Sequence, residues 1–421
     1  MSLVRETRNG GAWLPPMAPG RAGHTVRQTM TRPRSAASRP LRVLVAGGGV
    51  AAIESVLALH ALAGDRVAIE LLAPGDDFVE RPSSVLSPFS GRSAPRVPLG
   101  RLAQLGVARR HGALAAVDSE RHEVRTTDGV RVGYDRLIVA TGARSVEGVP
   151  GATTFRGPLS AGAVEGALRG ARERVLFTLP AGAGWTLPLY ELALLAAHEV
   201  PDGPELTIVT YEPRPLDLFG PVASDALARL LQRAGIGFEG NTVAETVIGG
   251  TLSTRDGRLI AADTVIALAR LRGPRVAGLP ADAEGFIAVD DHSRVVGTRD
   301  VFAAGDATAG PVKQGGLAAQ QADAAAEAIA AEAGARVTPR PCRRVLRGVV
   351  FTGEAPLFLR RDLDDESPLA RPLRGAPVGI SRSQLWWPSG KLAGRYLTGF
   401  LAAGGEPGET LSDRPRRPVP A

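Results

Sequence analysis

The chain has 421 residues, of which 44% are hydrophobic and 22% charged, and its formal net charge is +7. This length and composition exclude a wholly disordered chain and predict two domains, or two domains and a small terminal one. Residues 1–40 hold seven arginines and one acid, so six of the seven net charges lie there and the nearly neutral remainder argues against a nucleic-acid-binding face.

The cysteine and histidine content and the lengths of the apolar runs restrict the chemistry of the protein and its place in the cell. Cys342 is the only cysteine, which excludes a disulfide framework and a dithiol redox pair within the chain. The six histidines have no metal-binding spacing, so no metal site is predicted. No apolar run reaches the roughly 18 residues that span a bilayer, and no signal-peptide core is present. We therefore expect a cytoplasmic protein, with peripheral contact at the inner face of the membrane as an alternative.

The N-terminal segment mixes Arg, Pro, Gly and Ser without periodicity, which predicts a disordered basic tail over 1–40. Met30 lies shortly before the first predicted strand, which suggests that translation begins at Met30 rather than at Met1. A transit peptide is the alternative.

A strand-loop-helix-strand unit opens the folded part of the chain. Residues 41–46 form an apolar β-branched run, the loop reads Gly47-x-Gly49-x-x-Ala52, and 53–62 carry a helical pattern before a second predicted strand. Because they have no side chains, the two glycines let backbone N–H groups approach a pyrophosphate at the positive helix N-terminus. A glycine-rich turn that binds nothing is the alternative for this loop taken alone.

The same order of elements returns at 174–210, with a predicted strand, a small-residue loop, a helix and another strand. Here Trp185 stands where a dinucleotide phosphate would lie, and Thr210 stands where an acid is expected. The unit therefore predicts a weak second nucleotide site. Its candidate residues are Gly182, Gly184, Glu191 and Glu212, with Arg214 as a candidate for contacting a 2′-phosphate.

Two further motifs, Ala-Thr-Gly at 140–142 and Gly-Asp at 305–306, each follow an apolar predicted strand. Together with the first glycine loop, in this order and at these separations, they resemble the two-dinucleotide-binding-domain flavoproteins of the FAD-dependent pyridine nucleotide-disulfide oxidoreductase superfamily. That superfamily includes type II NADH dehydrogenases, sulfide:quinone reductases and ferredoxin reductases. The resemblance covers about residues 41–335 and is nearest in style to the first two classes, but redox cysteines are absent.

This resemblance implies an α/β fold with two Rossmann-like FAD/NAD(P)-binding domains, the second inserted in the first. The FAD-binding domain is expected at 41–155 and 277–335, and the second nucleotide-binding domain at 156–276. Residues 336–421 are richer in Arg, Pro and Trp and are expected to form a small C-terminal cap or interface segment.

The resemblance also implies which residues contact FAD. They are Gly47, Gly49, Val50, Ala51, Ala52, Asp76, Arg81, Leu114, Ala140, Thr141, Gly142, Gly305, Asp306 and Gly315. Asp306 is expected to hydrogen-bond the ribitol or the pyrophosphate, although an Asp at this place can also cap a helix. The acid that usually ends the second strand and binds the adenosine ribose is replaced by Ala73, so Asp76 or Asp77 is expected to substitute. Arg81 is expected on the flavin side, with a solvated arginine as the alternative.

Lys313 and Gln314 precede an alanine-rich predicted helix and are the predicted catalytic residues. In the resembling family this helix points its N-terminus at the flavin pyrimidine edge, where reduced FAD carries negative charge. Lys313 would add to that positive field. It is one of only two lysines in a chain that otherwise uses arginine, which favours a specific role over that of an ordinary surface cation.

Residues 385–401 contain apolar side chains at helical spacing, two cations and a Trp-Trp pair. This composition suits a helix that lies in a membrane interface, and it suits docking on another protein surface equally well. The alternatives are a helix that docks on the body of the protein and one that docks on a second copy in a homodimer.

The resemblance implies an FAD-dependent oxidoreductase, in which electrons pass from a small-molecule donor through the flavin to a small-molecule acceptor. NAD(P)H is the candidate donor and a quinone the candidate acceptor. Three alternatives remain open: a flavin-binding redox sensor or scaffold without turnover, a sulfide:quinone reductase-like enzyme with a cysteine-independent mechanism, and a structural remnant without cofactor.

Overall fold

The computed structural model describes residues 39–91, 93–363 and 379–413. The predicted basic tail at 1–40, apart from its last two residues, lies outside the described residues, as does Met30.

Helices and strands alternate over most of the chain. The helices are α1 Val50–Ala63, α2 Ser87–Ser90, α3 Ala161–Gly170, α4 Leu187–Glu199, α5 Pro221–Arg233, α6 Gly315–Glu332 and α7 Leu397–Ala402. The strands are β1 Leu41–Ala46, β2 Val67–Ala73, β3 Asp77–Val79, β4 Arg96–Pro98, β5 Ala108–His111, β6 Leu114–Asp118, β7 Glu123–Thr126, β8 Arg131–Gly133, β9 Arg136–Val139, β10 Arg144–Val146, β11 Thr153–Phe155, β12 Arg174–Thr178, β13 Glu205–Val209, β14 Gly237–Glu239, β15 Ala244–Ile248, β16 Thr251–Thr254, β17 Leu259–Ala261, β18 Thr264–Leu268, β19 Arg270–Arg272, β20 Val301–Ala303, β21 Val345–Val350, β22 Leu357–Asp362 and β23 Gly379–Ser381.

The first parallel sheet has five strands in the order β20-β9-β1-β2-β5. In its register, Val45 of β1 lies between Leu71 of β2 and Ile138 of β9. α1 connects β1 to β2 as a crossover helix and packs with α6 in one hydrophobic core. The N-termini of α1 and α6 therefore lie at the same edge of the sheet, beyond the carboxyl ends of β1 and β20.

The second parallel sheet also has five strands, in the order β11-β18-β12-β13-β14. α4 connects β12 to β13 and α5 connects β13 to β14, and both helices bury apolar side chains in one core with the sheet. All strands of this sheet lie between β9 and β20 along the chain, so the second Rossmann-like unit is inserted in the first. The predicted α/β fold is confirmed.

The domain limits at 155/156, 276/277 and 335/336 remain a proposal. β11 already pairs with β18 of the second sheet, although Thr153–Phe155 was expected to close the first part of the FAD-binding domain. β21, β22 and β23 form an antiparallel sheet in the C-terminal part of the chain.

Residues 385–401 do not form one helix, and the segment docks on the body of the protein, which was one of the expected alternatives. Only α7, at its end, is helical, and Leu392, Leu397 and Phe400 are 2%, 0% and 2% exposed. These side chains belong to the same core as α1 and α6. The helical spacing of these apolar residues is therefore explained by burial in the protein core. Trp386 is also buried. Within the described ranges, the structure contains no helix that is long and apolar enough to cross a membrane.

Candidate functional site

A cavity of about 580 Å³ opens at the carboxyl ends of β1 and β9, and we call it the central cavity. The first unit lines it with the β1–α1 loop and with the residues that follow β9 and β20. The second unit contributes Trp185, Pro188 and Glu191, and the C-terminal segment contributes Lys391. The carboxyl edge of a parallel sheet is where such folds bind their ligands.

The β1–α1 loop closes one end of the central cavity. Gly47 has a φ of +140°, and a Cβ there would lie 2.1 Å from the backbone oxygen of Ala140, so only glycine allows the loop to approach the end of β9 so closely. At Gly49, no described atom lies within 4 Å of the position that a Cβ would take. The first turn of α1, whose N–H groups have no partners within the helix, therefore borders open space that fits a pyrophosphate.

Polar groups without protein partners lie further along the central cavity. The Thr141 hydroxyl is buried and has no hydrogen-bond partner among the described residues. The Asp306 carboxyl also lines the cavity. Burial raises its pKa, and the positive charges of Lys313 and Arg81 oppose this shift. A buried hydroxyl and a carboxyl that face a cavity fit the phosphate and ribitol hydroxyl groups of FAD, which can supply the missing hydrogen bonds.

Gln314, which was predicted to be catalytic, makes structural contacts through both ends of its amide. Its Oε1 accepts the N–H of Leu317 at 2.8 Å and so caps α6. Its Nε2 donates to the backbone oxygen of Arg347 at 2.9 Å. Asp306 therefore does not cap α6, and the side chain of Gln314, although it lines the central cavity, positions that helix against the C-terminal sheet.

Most of the predicted FAD contacts line the central cavity. They are Gly49, Val50, Ala51, Arg81, Ala140, Thr141, Gly142, Gly305, Asp306 and Gly315. The structure does not bring Asp76 to the cavity, because Asp76 pairs with Arg109 at the surface, whereas the neighbouring Asp77 does line it. Leu114 begins β6 and packs on another core, and Ala52 is buried inside the α1 core.

A buried ion pair at the wall of the central cavity joins the second unit to the C-terminal segment. Lys391 pairs with Glu191, and their side chains are 7% and 0% exposed. Glu191 Oε1 also accepts the N–H of Phe351 at 2.9 Å, whereas Oε2 is buried without a partner in the described part of the chain. Burial raises the pKa of Glu191 and lowers the pKa of Lys391, and the attraction between the two groups opposes both shifts.

This pair was not recognisable as a unit in the sequence. Glu191 was assigned to the second nucleotide site, and Lys391 was one cation of the expected interfacial helix. The structure places both at the central cavity. The one signal that could have singled out Lys391 is that the chain contains only two lysines.

Lys313 lines another part of the central cavity. Its ammonium group donates to the backbone oxygen of Thr308 and lies 3.7 Å from the ring centroid of Phe286. Burial lowers the pKa of Lys313 to about 8, and the negative charges of Asp306 and Asp282 oppose this shift. The amine therefore changes its charge just above neutral pH.

A second cavity of about 440 Å³, which we call the lateral cavity, adjoins the central cavity, and Trp185 and Lys313 line both. Gly182 and Gly184 of the second glycine loop line the lateral cavity. A Cβ at Gly184 would lie 2.8 Å from the backbone oxygen of Pro311, and the Lys313 N–H donates to the Gly184 oxygen at 3.2 Å. The loop is therefore held tightly against the segment that precedes α6.

Glu212 does not line the lateral cavity. Its Oε1 accepts the Thr186 hydroxyl at 3.0 Å and its Oε2 accepts the Tyr190 hydroxyl at 2.5 Å. Burial raises the pKa of Glu212 to about 7, against the effect of these two hydrogen bonds. Arg214 pairs with Asp225 at the surface. Both side chains that were expected to recognise a nucleotide ribose or 2′-phosphate thus have protein partners.

The protein thus has two parallel sheets, a glycine loop at a helix N-terminus and a cavity between the two Rossmann-like units. The family model described as pyridine nucleotide-disulphide oxidoreductase matches residues 41–329. The chain belongs to this family. Its members are FAD-dependent oxidoreductases, and the residues of the central cavity fit that cofactor.

Several known proteins are similar to this chain. An NADH dehydrogenase-like protein of Mycobacterium tuberculosis is 31% identical over 243 residues, which are 52% of this chain and 59% of the relative. The chain thus spans less than two thirds of this curated relative. The sulfide:quinone oxidoreductase of Aquifex aeolicus has a TM-score of 0.71 at 21% identity, with 81% of this chain and 87% of that chain covered. A ferredoxin reductase of Rhodopseudomonas palustris has a TM-score of 0.61 at 20% identity, with 77% and 84% covered. These solved structures share the fold.

Proposed function

We propose that the protein is a dehydrogenase that takes a hydride from NAD(P)H in the lateral cavity and passes the electron pair to a quinone, with FAD in the central cavity. The observation that carries this proposal is the environment of Glu191. One of its oxygens pairs with Lys391, and the other is buried at the cavity wall without a described partner. A buried carboxyl of this kind beside a cofactor cavity is placed to exchange a proton with a ligand.

The residues of the central cavity would bind and orient FAD. When bound, FAD supplies a ring that accepts a hydride and releases electrons, while the protein supplies position and electrostatics. The first turn of α1 would hold the pyrophosphate, and Asp306 would accept hydrogen bonds from the ribitol. Asp77 takes the place of the missing acid at the adenosine end. The ammonium group of Lys313 would favour the reduced, negatively charged flavin.

The adjoining cavities support direct transfer between donor and cofactor. Because Trp185 and Lys313 line both cavities, a nicotinamide in the lateral cavity would border the central cavity. The chain contains one cysteine, Cys342, so no internal dithiol can carry the electrons. The electron pair therefore reaches its acceptor without a sulfur relay.

A quinone acceptor needs protons as well as electrons. Its reduction to a quinol consumes two electrons and two protons, whereas a hydride brings two electrons and one proton, so one proton comes from solvent. Burial moves the pKa values of Glu191 and Lys391 towards each other. The pair can therefore hold a proton and deliver it through Glu191 to a quinone oxygen.

The variant Glu191→Gln tests this function because it keeps the shape of the side chain but cannot release a proton. We expect the flavin of the variant to be reduced by NAD(P)H at the wild-type rate. Its reoxidation by a water-soluble quinone should slow about a hundredfold, as for loss of a general acid. Stopped-flow absorbance of the flavin band separates the two steps.

The matched control is Glu165→Gln on α3, where the glutamate pairs with Arg169 and does not line the central cavity. Both steps should keep their wild-type rates in this variant. Reoxidation of Glu191→Gln at the wild-type rate would contradict the assigned role.

A further inference from the structure

A third cavity, which we call the rear cavity, lies beside the first turns of α6 and has a volume of about 320 Å³. Its wall includes the turn at 289–293, the segment 308–313 and Gln321 of α6. Asp290 and Asp291 line it and are exposed. The rear cavity therefore reaches the protein surface at this turn.

The rear cavity and the central cavity share part of their walls. Gly305, Asp306 and Gln314 line both, and Lys313 lines the central, lateral and rear cavities. An ammonium group has three N–H donors, and the backbone oxygen of Thr308 accepts from one of them. The remaining donors of Lys313 are available to whatever fills the three cavities.

The rear cavity is polar where it approaches Lys313. Thr308 donates from its hydroxyl to the backbone oxygen of Gly305 at 2.8 Å and accepts from Gln321 Nε2 at 3.1 Å. The other end of that amide, Gln321 Oε1, accepts the N–H of Gly305 at 2.8 Å. The end of the rear cavity nearest Lys313 therefore presents polar groups that can contact water.

We propose that the rear cavity is a water-filled path through which Lys313 exchanges protons with solvent while FAD and NAD(P)H fill the other two cavities. This inference rests on the proposed function, which consumes one solvent proton for each quinone reduced. The groups that face the Lys313 ammonium are the Thr308 carbonyl and the Phe286 ring, with Asp306 and Asp282 as the charges that act on it.

The proton balance of each turnover is complete. The ammonium group of Lys313 releases one proton into the part of the central cavity that FAD leaves free, and this proton replaces the one that Glu191, on the wall of the same cavity, has given to the quinone. The neutral amine then takes a proton from the water in the rear cavity, which is continuous with bulk solvent. Lysine suits this step because an amine in a buried site can release its proton, whereas a guanidinium group cannot.

The presence of only two lysines allows access to Lys313 to be measured directly. Cyanate is a small reagent that carbamoylates neutral amines, and mass spectrometry of the peptides reports the modification at Lys313 and Lys391 separately. We expect Lys313 to react in the FAD-loaded protein. Ala309→Leu, which fills the rear cavity, should abolish this reaction. Ala181→Leu, which makes the same change in the lateral cavity, should leave it intact.

A second variant, Val289→Phe, fills the rear cavity from the opposite wall and guards against misfolding of the first. The flavin spectrum of each variant reports whether it is folded and loaded. Carbamoylation of Lys313 that persists in both rear-cavity variants overturns the proposal. Two other results would overturn it as well: loss of Lys313 carbamoylation when the wild-type protein binds FAD, and loss of it in Ala181→Leu but in neither rear-cavity variant.

The labelling uses neither an electron donor nor an acceptor, so its outcome is separate from that of the proposed function. A protein whose flavin no pyridine nucleotide reduces can still show the expected labelling pattern, and an active dehydrogenase can lack it. In the active protein, Ala309→Leu should also slow reoxidation by the quinone while flavin reduction stays unchanged. If Ala309→Leu slows flavin reduction and flavin reoxidation by the same factor, the proposed proton path through the rear cavity is contradicted.

Discussion

Lys313 and Lys391 are the only lysines in the chain, and both line the central cavity. Arginine supplies positive charge elsewhere, and a guanidinium group stays protonated at any ordinary pH, whereas a buried amine can lose its proton. Burial lowers the pKa of both lysines. The only two side chains with an amine thus lie at the central cavity, where burial favours loss of their protons.

Lys313→Met removes a positive charge beside the flavin, so it should lower the two-electron midpoint potential of bound FAD. We expect a decrease of about 30 mV at pH 7, which corresponds to roughly 1.4 kcal/mol. Spectroelectrochemical titration measures this value. Because the pKa of Lys313 is about 8, the difference from wild type should shrink as the pH rises through 8 and the wild-type amine loses its charge.

Lys313→Arg is the matched control, since it keeps the positive charge at every pH. Its potential at pH 7 should equal that of wild type, and the difference between this variant and Lys313→Met should persist above pH 8. A potential that none of these substitutions changes rules out the electrostatic role of Lys313.

Single residues were predictable from the sequence where a backbone motif fixes their position. The resemblance to the two-dinucleotide-binding-domain flavoproteins implied that Gly49, Thr141 and Asp306 lie near FAD, and all three line the central cavity. The roles of Glu191 and Glu212 were harder to predict. Their distance from the glycine loop places them on or after α4, but it does not say which cavity, if any, each carboxyl faces.

Among the elements, the C-terminal segment docks on α1 through one buried carboxylate. The two oxygens of Glu54 accept the N–H groups of Tyr396 and Leu397, each at 2.8 Å, where α7 begins. Asp323 of α6 lies beside Glu54. Burial raises the pKa of both acids, and the charge of Glu54 raises the pKa of Asp323 further. Because both oxygens of Glu54 already accept backbone N–H groups, a proton shared by the two acids is better placed on Asp323, and Glu54 then remains the acceptor for α7.

Asp323→Asn should make stability less sensitive to pH. The folded state keeps the Asp323 proton at pH values where an unfolded aspartate has lost it, so the wild-type free energy of unfolding falls as the pH rises from about 4 towards the raised pKa. The variant cannot titrate there. Between pH 5 and pH 8, we therefore expect the free energy of unfolding of the variant to fall less than that of wild type.

Urea-induced unfolding of the FAD-loaded protein at both pH values measures this difference. Asp202→Asn, in the exposed turn after α4, is the control and should follow the wild-type dependence. If Asp323→Asn also follows it, the acids do not share a proton and the docking of α7 needs another account.

Helical spacing alone could not reveal this docking. A stripe of apolar residues has the same period whether it faces a membrane or a protein core, and the acceptor of the segment, Glu54, lies more than 300 residues earlier in the chain. A contact of such sequence separation is a tertiary property, which local periodicity does not encode.

At the scale of the whole molecule, three short motifs predicted the fold because β20, β9 and β1 are neighbours in the first sheet. The glycine loop, Ala-Thr-Gly and Gly-Asp thus follow adjacent strands and meet at one edge, which is the arrangement that the resemblance to the flavoprotein family implied. The contributions of Trp185, Glu191 and Lys391 to the same cavity depend instead on how the second unit and the C-terminal segment fold over that edge. Those relations have no local sequence signature.

An anaerobic titration of the purified protein with NADH and then NADPH, followed by a quinone, tests electron transfer from a pyridine nucleotide through FAD to the quinone. We expect a visible flavin band that one of the pyridine nucleotides bleaches and that the quinone restores. A flavin band that neither nucleotide bleaches would contradict hydride transfer from the lateral cavity. A colourless protein that takes up no FAD would contradict the assignment of the central cavity itself.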